Sequence, residues 1–147
     1  MDDFFCRLYL GHTGTSVGHE FIEFELRDNG NLLYRNNSGY KREEPILREV
    51  QLSEPVVRFI RNMIVESHIV NHKDSLWPRP DRVGKTELEI VMGDKRICFV
   101  TTKINTVYEI ESCDDQQGLF VFFELVEELK ILFNDLIHIH FRKNPLG

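Results

Sequence analysis

The sequence predicts an α+β fold: a single domain over residues 1–147 with an about six-stranded, mostly antiparallel sheet, and two long helices and a short segment packed on one face. Three observations lead there. Apolar and polar residues alternate with strand periodicity in several short runs. Those runs are joined by brief turn-forming connections, which suit antiparallel neighbours. Two longer stretches repeat their apolar residues at helical spacing. A hydrophobic fraction of 41% and a charged fraction of 29% over 147 residues are globular proportions, with enough chain for one core.

Residues 4–10 and 19–26 are rich in aromatic and branched side chains and read as strands. In the second, Ile22, Phe24 and Leu26 share one face and Phe21, Glu23 and Glu25 the other. The apolar row then faces a core and the carboxylates face water. Asp28, Asn29, Gly30 and Asn31 form a turn into Leu32, Leu33 and Tyr34, a hairpin signal. A second hairpin joins residues 87–92 to 96–102 through Gly93, Asp94 and Lys95, and a short return strand is expected near 107–110.

The first helix is expected to begin at Ser53, whose hydroxyl suits a cap, with Pro55 in a first turn that needs no N–H. Leu52 is placed to pack on Val57 as a hydrophobic staple. Val56, Ile60, Met63 and Ile64 follow the spacing of one face, through about Glu66. The last helix runs from about Gly118 to Phe141. At about 100° per residue, Phe122, Leu125, Val126, Leu129, Leu132, Phe133, Leu136, Ile137 and Ile139 fill nearly half of its circumference. Phe120, Phe123 and Ile131 break into the opposite, mostly acidic side. A helix resting on one sheet needs a narrower stripe, so this breadth means either deep burial or two apolar contacts, one of them outside the domain.

Between the helices lies a stiff connector. Pro78 and Pro80 fix their own φ and extend the residues before them, so the run from Leu76 to Gly84, with the chain's only Trp, is not helical. Apart from the segment 66–81 and the polar stretch 36–44, no substantial loop, internal repeat or inter-domain linker is evident.

Catalytic constellations are not found in this pattern. His138 and His140 stand two apart on a helix and point about 200° away from each other, so one metal cannot use both. His12 and His19 flank a glycine-rich turn and meet only if their strands pair, and no third or fourth ligand stands at zinc spacing. Gly11, Gly14 and Gly18 match neither phosphate-binding pattern and lead to a strand, which makes a hairpin connection the better reading. Ser16, Ser38, Ser53, Ser67 and Ser75 lack a nucleophile-elbow context. Asp114 and Asp115 precede a helix and serve its positive end. Glu124, Glu127, Glu128 and Asp135 read as a solvated helix face that a basic partner can also use.

With 18 basic against 24 acidic residues, the net charge of −6 argues against a phosphate-binding surface. Only Arg79, Arg82 and Lys85, and Arg142 with Lys143, hint at a basic patch. Three cysteines, Cys6, Cys98 and Cys113, without CxxC spacing, suit a reducing compartment, with Cys6 and Cys98 expected to be buried in strands. No secretory signal, bilayer-length apolar run or basic import cluster is evident. The residues alone therefore describe a scaffold or binding protein.

The run Trp77-Pro78-Arg79-Pro80-Asp81-Arg82-Val83-Gly84, followed by Glu87-Leu88-Glu89-Ile90, resembles the corresponding segment of the Mago nashi family. The likeness extends to Gly18-His19-Glu20-Phe21, Glu23-Phe24-Glu25, Asn36-Asn37-Ser38 and Tyr40-Lys41. Toward the C-terminus it takes in Leu119, Val121-Phe122, Leu125-Val126, Leu129-Lys130, Leu136-Ile137 and His140-Phe141. Departures fall at residues 42–50, where Pro45 is added, at 66–72, where His68 and His72 stand in a loop that is more acidic in the family, and at His138, where glycine is usual.

What the resemblance implies is a non-catalytic, cofactor-free adaptor of the exon junction complex. It forms an obligate heterodimer with an RNA-recognition-motif protein (Tsunagi-like), masks that partner's sheet face, and locks a DEAD-box helicase on spliced mRNA. It is expected in the nucleus, shuttling to the cytoplasm with mRNA, in splicing-linked localisation, export and nonsense-mediated decay, with little direct RNA contact and no membrane role. Carried over to this chain, the partner face is expected to use Ile60, Met63, Ile64, Leu129, Leu132 and Leu136. The alternative is a free-standing small α+β enzyme or RNA-binding protein.

Overall fold

Two tight turns and a central strand flanked on both sides organise the sheet. In the computed structural model, which describes residues 3–14, 18–37, 46–81, 83–104 and 106–143, the strands are β1 (Phe4–Gly14), β2 (Gly18–Arg27), β3 (Asn31–Asn37), β4 (Ile46–Gln51), β5 (Gly84–Met92) and β6 (Lys95–Thr102). Their spatial order is β4-β3-β2-β1-β5-β6, and every neighbouring pair is antiparallel. The helices are α1 (Glu54–Ser67), α2 (Val107–Glu111) and α3 (Gln116–Lys143), with one 3-10 turn at Ile69–Asn71. Ser16, Ser38, Tyr40, Lys41, Pro45 and Arg82 lie outside the described residues, as do the side chains of His19, Arg142 and Lys143.

Register makes the core. Leu8 stands opposite Phe24 on one side and Leu88 on the other, Phe24 opposite Tyr34, and Leu88 opposite Phe99. Directly opposed residues share a face, so this row forms one apolar band across five strands. Onto it α1 lays Val57, Ile60 and Ile64, and α3 lays Leu119, Phe122, Leu125, Val126, Leu129, Phe133 and Ile137, all buried. Phe133 meets Phe24 with ring centroids 5.2 Å apart. The expected inward row of Ile22, Phe24 and Leu26 is observed, with Phe24 and Leu26 fully buried and Ile22 packed at the core margin.

Three local expectations differ from the structure. Residues 107–110 lie in helix α2 instead of a return strand, and the sixth strand is β4, which the sequence reading did not single out. The seat beside β6 is already taken by the connector: Val100 N donates to Asp74 Oδ2 (2.9 Å) and Thr102 N to Pro78 O (3.2 Å). Those bonds close the sheet edge that another strand would have needed. At the start of α1, Ser53 sits in extended backbone at the cap position, yet its hydroxyl makes no capping bond. Cys98 is exposed on β6, whereas Cys6 is buried in β1 and Cys113 in the turn before α3. Burial pushes the Cys6 thiol up to about 12.

Asp115 fulfils its expected role more directly than by charge alone, because its Oδ1 accepts the Gly118 N–H (3.1 Å) and caps α3. Gly30 is the backbone hinge of the first hairpin, at φ +89, donating to Arg27 O (3.0 Å) while its own carbonyl accepts Leu52 N (2.8 Å). A Cβ there would stand 2.5 Å from Leu52 O. Gly30→Ala is therefore expected to destabilise the fold by more than about 1 kcal/mol, measured by urea unfolding. Gly93→Asn, at φ +62 with nothing within 4 Å of its Cβ position, serves as the mild comparison. Equal midpoints for the two variants would contradict the steric account.

Candidate partner-binding surface

The two faces of the sheet differ in what they offer. The face away from the helices carries an ion-pair ladder. Arg7 Nε donates to Glu23 Oε2 (2.7 Å) and Arg7 Nη1 to Glu87 Oε1 (3.2 Å), and Arg35 Nη1 donates to the second Glu23 oxygen (2.5 Å). Lys85 pairs with Glu87 (3.2 Å) and Arg96 with Glu89 (2.8 Å). Tyr9 stacks on Phe21 (5.5 Å), beneath the cations of Arg7 and Lys85. This face is charged, and its charges largely satisfy one another.

Partial burial works to raise the Glu87 carboxyl, but the hydrogen bond from Lys85 and the charge and hydrogen bond of Arg7 outweigh it and hold the group below its ordinary value. A depressed carboxyl stabilises the folded state above its ordinary, unfolded value, and that contribution disappears as pH falls through the lower one. Glu87→Gln is therefore expected to flatten the loss of stability on acidification below about pH 4.5 and to leave the neutral-pH slope unchanged. Urea midpoints across pH 2.5–7 measure it (roughly the range over which carboxylates titrate); an unaltered acid limb would remove Glu87 from the ladder's energetics.

The helical layer offers apolar surface. A groove between α1 and α3 is lined by Phe59, Asn62, Met63, Glu66 and Ser67 from one helix and Val121, Glu124, Leu125 and Glu128 from the other. Phe59 is 58% exposed, an unusual position for a large aromatic. Along α3 the apolar stripe continues past the groove. Val121, Leu132 and Ile139 fall within about 20° of one another at about 100° per residue, and span about 27 Å of helix. Ile139 is 51% exposed, and Val121, Leu132 and Leu136 are half-buried. Exposed Glu66, Glu124, Glu128 and Asp135 lie alongside the stripe.

The six side chains assigned to the partner face divide into two sets. Ile60, Ile64 and Leu129 have no exposed surface and belong to the chain's own core, so they present no contact area to a partner docking on this conformation. Met63, Leu132 and Leu136 are half-buried at the core margin, with part of their surface open. Phe59, Val121 and Ile139, which stand outside those six, complete the open stripe. Their signal was positional: Phe59 stands four residues before Met63, Val121 four before Leu125, and Ile139 three after Leu136.

On the opposite flank of α3, Phe120 and Ile131 are exposed and Phe123 is half-buried. The β1–β2 register sets His12 opposite Glu20 and Thr13 opposite His19, so the two histidines are not direct cross-strand partners. Among the described residues, no group of three or more His, Cys, Asp or Glu is arranged to hold a metal ion, and no helix is long and apolar enough to cross a membrane.

Comparison with known proteins agrees with these observations. Residues 4–146 match the family described as Mago nashi protein. The protein named "Protein mago nashi homolog" from Arabidopsis thaliana is 45% identical over 144 residues, covering 98% of this chain and 95% of that protein. With its antiparallel sheet, its helical layer and a family match over nearly its full length, the chain belongs to the Mago nashi family.

Proposed function

We propose that this protein is a non-catalytic adaptor of the exon junction complex, whose α1/α3 surface covers the sheet face of an RNA-recognition-motif partner of the Tsunagi type. The observation that carries the reading is the open apolar stripe of Phe59, Met63, Val121, Leu132, Leu136 and Ile139 on a chain of this family. A four-stranded sheet is roughly 15–20 Å across its strands, which a stripe of about 27 Å accommodates. RNA-recognition-motif sheets present aromatic side chains for base stacking, and an apolar helical face is a chemically fitting cover for them. The carboxylates beside the stripe suit a basic surround on the partner.

In this reading the heterodimer holds a DEAD-box helicase on spliced mRNA, in splicing-linked localisation, export and nonsense-mediated decay. The protein works in the nucleus and follows mRNA to the cytoplasm. Its net charge of −6 leaves direct RNA contact to its partners. Calorimetry with the RNA-recognition-motif protein from the same source tests the proposal, and a tight one-to-one complex is expected. A well-folded chain that does not bind would overturn it and return the free-standing enzyme or RNA-binder reading.

A further inference from the structure

The flank of α3 away from α1 borders a second concavity, which the proposed adaptor role does not use. This cleft of about 370 Å³ lies between α3 and the ends of β1, β2, β3 and β5, within the size range of small-molecule sites. Its wall is apolar, with Leu10, Ile22 and Ile104 facing Phe122, Phe123 and Val126. Phe122 and Val126 are buried, while the other four are core-margin side chains, so a ligand would rest on an already packed surface. Polar groups gather at the mouth. Lys103 Nζ lies 3.4 Å from His12 Nδ1, and Lys130 reaches Glu127 only at 3.9 Å.

The balance of charge narrows the ligand class. Lys103 and Lys130 line the cleft together with Glu20 and Glu127, whereas the Lys85 ammonium turns to Glu87 (3.2 Å) and the Tyr9 ring on the other face of the sheet. With Lys130 matched by Glu127, Lys103 is the cation placed beside the apolar wall, and a mouth so nearly balanced in charge favours a singly charged anion over a polyphosphate. We infer that the cleft binds a small amphipathic carboxylate, its aliphatic or aromatic body against Ile22, Ile104 and Phe123 and its carboxylate at the Lys103–His12 pair. The ammonium of Lys103 donates to the carboxylate, and desolvation of the body supplies most of the affinity.

Titration of the 15N-labelled full chain with 4-phenylbutyrate tests this, with 4-phenylbutan-1-ol as the uncharged counterpart. Backbone amides of Leu10, Gly11, Lys103, Ile104 and Phe123 are expected to shift and saturate, with Kd on the order of 1 mM or tighter. The alcohol and the Lys103→Gln variant are each expected to bind about three- to fivefold more weakly, the scale of one partly exposed charge contact. Ile104→Trp, which fills the cleft, is expected to abolish the shifts, and a dispersed spectrum reports that each variant is folded. Three results would overturn the inference: no saturation up to about 10 mM, equal affinity for acid and alcohol, or shifts confined to the α1/α3 groove at Phe59, Met63 and Val121.

Discussion

Trp77→Ala is expected to lower the free energy of unfolding by about 3–5 kcal/mol, a large share of the roughly 5–15 kcal/mol that holds an ordinary domain together. Only 3% of the Trp77 surface is exposed, and its ring packs against Phe99 (5.5 Å between centroids) and Phe122 (4.8 Å). Those two rings belong to the sheet and to α3, so one side chain joins the connector to both layers. The indole Nε1 also donates to Asp115 Oδ2 (3.0 Å), on the same carboxylate whose other oxygen caps α3. Removing the indole leaves a cavity and frees the capping side chain.

Trp77→Phe separates the two contributions. It keeps most of the stacked area and loses the hydrogen bond, at a cost of about 1–2 kcal/mol. Urea unfolding followed by circular dichroism measures both variants, since the substitution removes the intrinsic fluorophore. A loss below about 1 kcal/mol for Trp77→Ala would mean that the connector is a passive loop. The neighbouring bonds argue otherwise: Pro78 O accepts both Thr101 Oγ1 (2.6 Å) and Thr102 N (3.2 Å), and Cys113 Sγ donates to Leu76 O (3.3 Å).

The connector was legible in the sequence because proline geometry is local: Pro78 and Pro80 exclude a helix whatever surrounds them. The hairpins were legible for the same reason, through Gly30 and Gly93, both at positive φ. Residues 107–110 were not, since Val107, Tyr108 and Ile110 have strand propensity and only the occupied edge of β6 rules out a strand there. Local preference gave way to tertiary context at that point. The breadth of the α3 arc was legible, because helical spacing alone sets which residues share it. Its division was not readable, because periodicity gives an angle around the helix and not the identity of what covers it. Ile60, Ile64 and Leu129 are wholly buried in the core, whereas Met63, Leu132 and Leu136 lie at its margin, with part of their surface open. Phe59 falls on the edge of the α1 stripe, and its place in the groove with α3 depends on how the two helices pack, which spacing along one helix does not give.

That division makes the binding proposal sharp enough to fail. Phe59→Ala removes a side chain that is 58% exposed, so stability is expected to stay within about 0.5 kcal/mol of wild type. Affinity for the RNA-recognition-motif partner is expected to fall by about tenfold or more, the scale of an aromatic anchor. Leu136→Glu places a carboxylate at the margin of the core, between Leu132 and Ile139 of the stripe, and is expected to weaken the complex by about 30-fold or more, with a moderate loss of stability. Ile64→Ala is the reciprocal control: it lies wholly in the core, so it should cost about 2–5 kcal/mol of stability while the folded fraction binds as wild type does. Calorimetry for affinity and urea unfolding for stability, on the same preparations, separate the two effects. If Phe59→Ala and Leu136→Glu both bind as wild type, the α1/α3 surface is not the interface. If Ile64→Ala loses affinity without losing stability, the core assignment of its face is wrong. Only the pattern in which exposed positions govern binding and buried ones govern folding agrees with an apolar stripe held open for a partner.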